Sequence, residues 1–385
     1  KNITRTCTVL KFHENILYEK RQSCSKSVKS FMLSVTLILL LLLRSVHPLV
    51  PSTVTGAGGY LGRAIVSELL SQGEDSDGGG VCALVRPSCV SAEQAYWDRS
   101  YGAGSVQVLP YDMLDGGESL SNALRSFSKP GCVLYHAASS FGPSKDHVQR
   151  ALDNIRGTED AMRTAGEFNV GRVIITSSMA AVRGTGQSPK NGQHYTADDW
   201  NTVSELGANW GSSYQYSKMR SEERAWELAA ELGVEMTVIC PSFVFGPPSV
   251  GSSSSSYSIS LVKSWIRGES PVQSRLASDV RDVAAAQVRA GYCGAAAGQR
   301  YIVSSEARVQ SENIARALAD AVRKYGDETY NIIWDAEFDG GAIKIGNREV
   351  ECAKILKEDL GIVCRPTAES FGDMARAILM EEVKR

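Results

Sequence analysis

Two residues four positions apart, Tyr214 and Lys218, are the side chains of this sequence best suited to proton transfer. On a helix, this spacing places both side chains on one face. A neighbouring ammonium group favours phenolate over phenol and so lowers the pKa of a tyrosine from about 10 toward neutral values. The pair therefore predicts a phenol that exchanges a proton with a carbonyl or alcohol oxygen. A surface tyrosine beside a solvated lysine is the alternative interpretation.

A serine at the end of an apolar segment is the second candidate group. The segment begins at Val173 and ends in the hydroxyl-bearing residues Ser177 and Ser178. Open α/β sheets bind ligands at the carboxyl ends of their strands. A serine hydroxyl there could donate to a substrate oxygen beside Tyr214 and stabilise developing charge. Ser178 is the favoured candidate and Ser177 the competing one. A serine hydrolase is disfavoured because the sequence lacks a G-x-S-x-G nucleophile turn.

A glycine-rich turn could hold a dinucleotide. Gly56, Gly59 and Gly62 follow a short predicted strand and open an amphipathic segment, with the spacing GxxGxxG. A Cβ at the first glycine would keep the backbone away from a pyrophosphate, and one at the third would keep the helix away from the sheet. The pyrophosphate would then lie at the helix N-terminus, at the backbone of Tyr60 and Leu61.

Arg86 ends the second predicted strand, where sites that prefer NAD(H) usually carry an acidic residue for the ribose hydroxyls. A guanidinium suits a 2′-phosphate because it forms bidentate, charge-assisted hydrogen bonds. The residue therefore favours NADP(H), with NAD(H) as the alternative. A solvated arginine at a strand end is the simpler explanation.

Short apolar runs alternate with amphipathic stretches after Arg44, which predicts a parallel sheet covered by helices. The expected fold is α/β, a Rossmann-type doubly wound parallel sheet with a smaller C-terminal substrate-binding subdomain. The predicted strands are Ser52–Thr55, Val81–Val85, Val106–Leu109, Val133–His136, Arg172–Ser177 and Glu235–Ile239. The predicted helices are Leu61–Ser71, Ser119–Phe127, His147–Phe168 and Ser213–Leu232, followed by helices near Ser311–Tyr325 and Glu369–Glu382.

The βα alternation weakens after Val250, where a serine-rich loop begins. We therefore expect an N-terminal extension over residues 1–47, a dinucleotide-binding domain over 48–250, and a region mainly forming a substrate-binding cap over 251–385.

The N-terminal extension contains an uncharged run over residues 31–43. It is shorter than the ~20 apolar residues of a membrane-spanning helix and fits the ~7–15 residues of a signal's hydrophobic region. A signal or anchor, a wrongly assigned gene start and a buried helix remain alternatives. The first would place the protein at the endoplasmic reticulum or another membrane; otherwise a cytoplasmic location is expected.

The composition excludes several other classes. A net charge of −2 gives no reason to expect a nucleic-acid partner. Nine scattered cysteines form no CxxC pair, so neither a metal site nor a disulfide framework is expected. The expected partner is a small molecule, and both a monomer and a homodimer are compatible with the sequence.

The glycine turn, the strand-end serine and the YxxxK motif, in this order, resemble the short-chain dehydrogenase/reductase superfamily. The TGxxGxxG spacing is similar to its extended (atypical) branch, the NAD-dependent epimerase/dehydratase family. The dihydroflavonol-reductase-like group within that branch is the most similar, and the resemblance extends from Leu49 to the C-terminus. Four further segments carry it: Tyr135–Ala138, Ser213–Leu228, Cys240–Pro248 and Asp279–Ala284.

The resemblance implies roles for individual residues. Ser178 matches the catalytic serine, Tyr214 the proton donor and Lys218 the ribose-binding lysine. Asp112, followed by Met113, matches an adenine-contacting aspartate.

By the same resemblance, Arg86 matches the phosphate-binding arginine and Asn154 a helix asparagine that can support a proton relay. Ala137 follows the fourth strand beside the cofactor, and the segment from Pro241 to Val244 matches the loop beside the nicotinamide.

The favoured function is an NADP-dependent oxidoreductase that reduces a ketone or aldehyde to the alcohol, or the reverse. Two enzyme alternatives remain: an NAD-dependent nucleotide-sugar epimerase or dehydratase, and a 3β-hydroxysteroid-type dehydrogenase. A non-catalytic NADP-sensing protein is less favoured, because such relatives commonly lose the tyrosine or the lysine and both are present here.

Overall fold

The computed structural model describes residues 50–72, 80–127, 131–249, 256–327, 329–334 and 347–382. The predicted signal or anchor over residues 31–43 lies outside these ranges. Within them, no helix is long and apolar enough to cross a membrane.

A seven-stranded parallel sheet forms the centre of the fold, in the order β3-β2-β1-β4-β5-β6-β9. Two further strands, β7 and β8, pair with each other in parallel. In chain order, the strands are β1 (Ser52–Thr55), β2 (Val81–Val85), β3 (Val106–Pro110), β4 (Val133–His136), β5 (Arg172–Thr176), β6 (Met236–Pro241), β7 (Phe243–Phe245), β8 (Ala277–Asp279) and β9 (Arg300–Val303).

Helices join the strands and cover the sheet. They are α1 (Tyr60–Ser71), α2 (Val90–Tyr101), α3 (Glu118–Phe127), α4 (His147–Glu167), α5 (Met179–Val182), α6 (Trp210–Leu232), α7 (Tyr257–Ile266), α8 (Val280–Tyr292), α9 (Ser311–Tyr325), α10 (Ala353–Leu360) and α11 (Thr367–Glu382). The predicted doubly wound Rossmann-type fold is confirmed. All six predicted strands are present; the elements that were not predicted are α2, α5, α7, α8, α10, β7, β8 and β9.

β1 lies in the middle of the sheet and carries three hydroxyl residues, two of which have hydrogen-bond partners; the buried hydroxyl of the third, Thr53, has none within the described part of the chain. Ser52 and Thr55 are fully buried. The Ser52 hydroxyl donates to the Val50 carbonyl (2.9 Å), and the Thr55 hydroxyl lies 3.0 Å from His136 Nδ1 on the neighbouring strand. These hydrogen bonds offset the cost of burying hydroxyls in a central strand.

Two hydrophobic cores divide the described residues. The larger surrounds the main sheet, and the smaller packs α7, α9 and α11 around Phe245, Trp265 and Phe371. Within 251–385, the region assigned from sequence mainly to a cap, β9 pairs with β6 and α8 contributes to the larger core. The smaller core packs beside β7 and β8 at the carboxyl end of the sheet, where it can enclose a ligand.

Candidate active site

A cavity of about 510 Å³ opens at the carboxyl end of the sheet. The strand order reverses between β1 and β4, which is where open α/β sheets bind ligands. Most of the residues predicted for catalysis and cofactor binding line this cavity: Gly56, Gly59, Tyr60, Leu61, Gly62, Ala137, Ser178, Tyr214, Lys218, Pro241 and Val244.

The glycine turn has the close approaches that a phosphate cradle requires. Gly56 has a φ of +67°, and a Cβ there would lie 2.9 Å from the Ala138 backbone. A Cβ at Gly62 would lie 2.1 Å from the Gly56 carbonyl oxygen. Gly59 is exposed at the start of α1 and offers no side-chain cap, so the helix N-terminus is open to an anion. These residues fit a dinucleotide pyrophosphate.

Tyr60 joins the glycine turn to the other side of the cavity. Its hydroxyl donates to the Gly246 carbonyl at 2.6 Å, just after β7. Burial is the main cause that raises the pKa of this phenol well above its ordinary value. The Tyr60 side chain therefore has a structural role, since it holds the start of α1 to Gly246. The backbone N–H of Tyr60 is the group that can face a phosphate.

The structure brings Ser178, and not Ser177, to Tyr214. The Ser178 hydroxyl caps α5 by accepting from the Ala180 N–H (3.1 Å), and it lies close enough to the Tyr214 phenol to lower the pKa of that group against the effect of burial. The Ser177 hydroxyl donates instead to Glu222 at 2.5 Å, in the protein interior. Of the two serines, only Ser178 is in contact with the candidate proton donor.

The predicted lowering of the Tyr214 pKa is wrong for this structure. Burial raises the pKa of Tyr214 to about 12, and the neighbouring Ser178 hydroxyl opposes this rise. The Lys218 ammonium group donates to the Thr176 carbonyl at 3.1 Å. Burial also lowers the pKa of Lys218 to about 8. Removal of both groups from water outweighs the stabilisation of phenolate that the four-residue spacing suggests.

Sequence reasoning missed a buried carboxylate, that of Glu222, which favours the charged form of Lys218. Glu222 is fully buried, and its charge, after that of Cys240, raises the pKa of Lys218 against the effect of burial. Glu222 Oε1 accepts from Arg300 Nε at 2.5 Å. The signal was present, since Tyr214, Lys218 and Glu222 recur every four residues on α6.

Three of the predicted cofactor residues do not line the cavity. Arg86 is exposed directly after β2, and Asp112 is exposed after β3, where its Oδ1 accepts from the Leu114 N–H at 2.9 Å. Met113 is half-buried and occupies space beside Gly157, where a Cβ would lie 2.2 Å from Met113 Cγ. Because β2 and β3 run parallel beside β1, these residues lie at the same sheet edge as the glycine turn.

Asn154 is buried on α4, and its side chain binds the loop after β4. Its Oδ1 accepts from the Ser140 N–H (2.8 Å), and its Nδ2 donates to the Ser140 carbonyl (3.0 Å). The adjacent residues Ser139 and Phe141 line the cavity. The geometry makes Asn154 a clamp on this loop, and its role in a proton relay remains a prediction.

The outer part of the cavity is aromatic. Phe141 lies 4.6 Å from Tyr214 and 5.3 Å from Tyr257, between ring centroids, and 6.0 Å from Phe243. Trp210 lies 5.9 Å from Tyr257. Apart from Tyr214, and Phe243 as part of the segment from Pro241 to Val244, sequence reasoning did not single out these residues, because they come from four separate segments. The wall they form suits a substrate with an apolar body.

No cluster of three or more His, Cys, Asp or Glu suited to a metal ion occurs in the described ranges.

Comparison with known proteins identifies the family of this chain. A sequence model of the NAD dependent epimerase/dehydratase family matches residues 52–291. Cinnamoyl-CoA reductase 1 of Arabidopsis thaliana is 30% identical over 278 residues, which is 71% of this chain and 75% of the relative. A putative dihydroflavonol 4-reductase of Synechocystis sp. is 27% identical over 261 residues, or 66% of this chain and 67% of the relative.

Among solved structures, the yeast methylglyoxal/isovaleraldehyde reductase Gre2 complexed with NADPH superposes with a TM-score of 0.73 at 25% identity. The match covers 87% of this chain and all of that one. Fold, motifs and relatives therefore agree that this chain belongs to the NAD dependent epimerase/dehydratase family.

Proposed function

We propose that this protein is an NADPH-dependent reductase that converts a ketone or aldehyde to the alcohol, or catalyses the reverse reaction. The observation that carries the proposal is the position of the Ser178 hydroxyl beside the Tyr214 phenol, in a cavity that the glycine turn also lines. A hydroxyl pair of this kind can hold a carbonyl oxygen from two sides.

The cofactor would be held by three parts of the chain. The glycine turn would bind the pyrophosphate, Lys218 the ribose, and Arg86 the 2′-phosphate. Arg86 has no ion pair with a described acidic residue, so its guanidinium is available for a phosphate. When bound, NADPH supplies the hydride.

Tyr214 would act as the proton donor in reduction. With a pKa near 12, its phenol is protonated throughout the physiological range and has a proton to give. Ser178 would hold the carbonyl oxygen and stabilise the negative charge that develops on it. Lys218 lies one helical turn from Tyr214 on α6. Its positive charge would stabilise the phenolate that remains when Tyr214 gives up its proton.

The names of the relatives support a reductase over the alternatives. Cinnamoyl-CoA reductase 1 and the yeast methylglyoxal/isovaleraldehyde reductase are both named for reduction of a carbonyl group. The epimerase alternative fits the family's name, but Arg86 favours NADPH over the NAD that such enzymes typically retain. A non-catalytic sensor would not need the contact between Ser178 and Tyr214.

The test is a panel of aldehydes and ketones assayed by the loss of reduced-nicotinamide absorbance, with NADPH and NADH in parallel. We expect consumption of at least one carbonyl compound with NADPH, and its loss in Tyr214→Phe. Tight NADPH binding without turnover of any compound would favour the sensor. NAD that remains bound after purification, without net consumption of added cofactor, would favour the epimerase.

A further inference from the structure

The outer cavity carries positive charge that the protein only partly neutralises. Arg183, Arg275 and Arg308 line it, and no acidic residue does so in the part of the chain that the structure describes. Buried Glu349, outside the lining, pairs with two of them: its Oε1 lies 3.3 Å from Arg183 Nη2 and 3.1 Å from Arg308 Nη2. Glu349 therefore neutralises charge on two of the three guanidinium groups and leaves Arg275 without an acidic partner in the described ranges.

Of these three arginines, Arg275 has no acidic partner among the described residues. Its guanidinium hydrogen-bonds with the neutral side chain of Gln273. Burial is the main cause that lowers the pKa of Arg275; Tyr257 opposes this effect, and the charge of Arg308 adds to it. A buried cation beside a like charge is unfavourable unless an anion accompanies it.

Two donors in this region are buried without a hydrogen-bond acceptor, the Nε atoms of Arg183 and Arg275. An unsatisfied buried donor costs about 1–3 kcal/mol, and more when it belongs to a charged group. Such donors are expected where a ligand completes the hydrogen bonding. A negatively charged ligand would satisfy the donors and offset the excess charge together.

A continuous row of rings connects Tyr214 to Arg275. The row runs from Tyr214 to Phe141, then to Tyr257 and to Phe243, with centroids 4.6, 5.3 and 6.0 Å apart in turn. Arg275 Cζ lies 5.6 Å from the Phe243 centroid. A molecule with its carbonyl at Tyr214 and its body along these rings would bring its far end to Arg275.

We propose that the substrate carries a negatively charged group, a carboxylate or a phosphate, which Arg275 and Arg308 bind at the far end of the aromatic wall. This inference rests on the proposed reductase function and names its substrate class. Guanidinium groups suit both anions because they donate two parallel hydrogen bonds. The cofactor's own phosphates have other sites, at the glycine turn and at Arg86.

The test uses three matched aldehydes with the wild-type protein and NADPH: 4-methylbenzaldehyde, 4-carboxybenzaldehyde and 4-formylphenyl phosphate. We expect kcat/KM for at least one charged aldehyde to exceed that for the methyl compound by about tenfold or more. The charged compound with the higher value distinguishes carboxylate from phosphate. Equal or lower values for both charged compounds would overturn the inference while leaving the reductase function intact. The wider carbonyl panel, run in parallel, tests the reductase function itself: turnover of other carbonyl compounds without consumption of either charged aldehyde would overturn the inference alone.

Arg275→Met tests the residue itself. It is expected to reduce the ratio of kcat/KM between the charged and the methyl aldehyde to near one, mainly through KM for the charged compound. Arg323→Met, which removes an exposed guanidinium on α9, is the matched control and should keep the ratio. A uniform loss for all three aldehydes in Arg275→Met would indicate a structural role and contradict the inference.

Discussion

Glu222 and Arg300 form an ion pair in the protein interior, with Glu222 Oε1 and Arg300 Nε 2.5 Å apart. Glu222 is fully buried, and Arg300 retains only 9% exposure. The same arginine donates to the carbonyls of Ala197 (2.8 Å) and Asp199 (2.5 Å). The pair thus connects the helix that carries Tyr214 and Lys218 to β9 and to the loop before that helix.

Arg300→Met is expected to lower the free energy of unfolding by about 3–5 kcal/mol, because it leaves a buried carboxylate without its cation. Urea titration monitored by circular dichroism would measure this. The double variant Glu222→Gln/Arg300→Met should recover part of the loss, since no buried charge remains. Arg316→Met breaks an exposed pair with Glu312 and should change stability by less than about 1 kcal/mol. An Arg300→Met protein as stable as this control would contradict the prediction.

Replacement of the two adjacent serines should separate catalysis from structure. Ser178→Ala is expected to lower kcat by about 10²–10³-fold, because it removes a hydrogen bond at the oxygen that gains charge. Ser177→Ala should mainly lower the free energy of unfolding, by about 1–3 kcal/mol, because buried Glu222 then accepts one hydrogen bond fewer.

Steady-state kinetics and thermal unfolding of both serine variants would measure these effects. NADPH affinity, measured by fluorescence titration, is the control for an intact cofactor site. Equal losses of kcat in the two variants would show that contact with Tyr214 does not decide which serine is catalytic.

Arg86→Asp should weaken NADPH binding selectively. The exposed guanidinium can neutralise a 2′-phosphate, and a carboxylate in its place would repel it while accepting hydrogen bonds from ribose hydroxyls. We expect the Kd for NADPH to rise by about tenfold or more, with little change for NADH. Arg99→Asp, at an exposed position on α2, controls for the change in net charge. Equal weakening of both cofactors would contradict the assignment of Arg86 to the phosphate.

Lys218 predicts a pH dependence of stability. Its pKa falls from an ordinary 10.5 to about 8 on burial, so between these values the unfolded chain binds more protons than the folded protein. The contribution of Lys218 to the free energy of unfolding therefore rises as the pH increases from about 8 to about 10.5. Below pH 8, burial of the charged lysine destabilises the protein.

The measurement is the free energy of unfolding of the wild type minus that of Lys218→Met, at a series of pH values across this window. The subtraction removes contributions from other titrating groups, such as the buried tyrosines. A difference that does not change with pH would show that Lys218 titrates normally in the folded protein.

Local sequence patterns were sufficient to predict the fold and the main elements of the candidate site. The glycine spacing, the strand-end serine and the YxxxK motif each lie within a few residues, so the chain itself sets their geometry. The fold and the family predicted from them are confirmed. The bounds of β1, β2 and β4 agree with the prediction residue for residue.

Features that depend on distant contacts could not be predicted in this way. Glu222 and Arg300 are 78 positions apart, and the three cavity arginines come from three separate segments. The pKa of Tyr214 depends on burial, which spacing alone does not reveal. The strand β9 is only four residues long and follows an alanine- and glycine-rich turn, so its signal is weak.

The hydrogen bond from Tyr60 to Gly246 joins the first residue of the cofactor-binding helix to the strand segment that carries Phe243. Movement of either binding region will pull on the other through this single phenol. Substitutions in the glycine turn are therefore expected to alter the shape of the aromatic wall as well. Variants of this turn should be assayed with the intended substrate present, because one hydrogen bond joins the two binding regions.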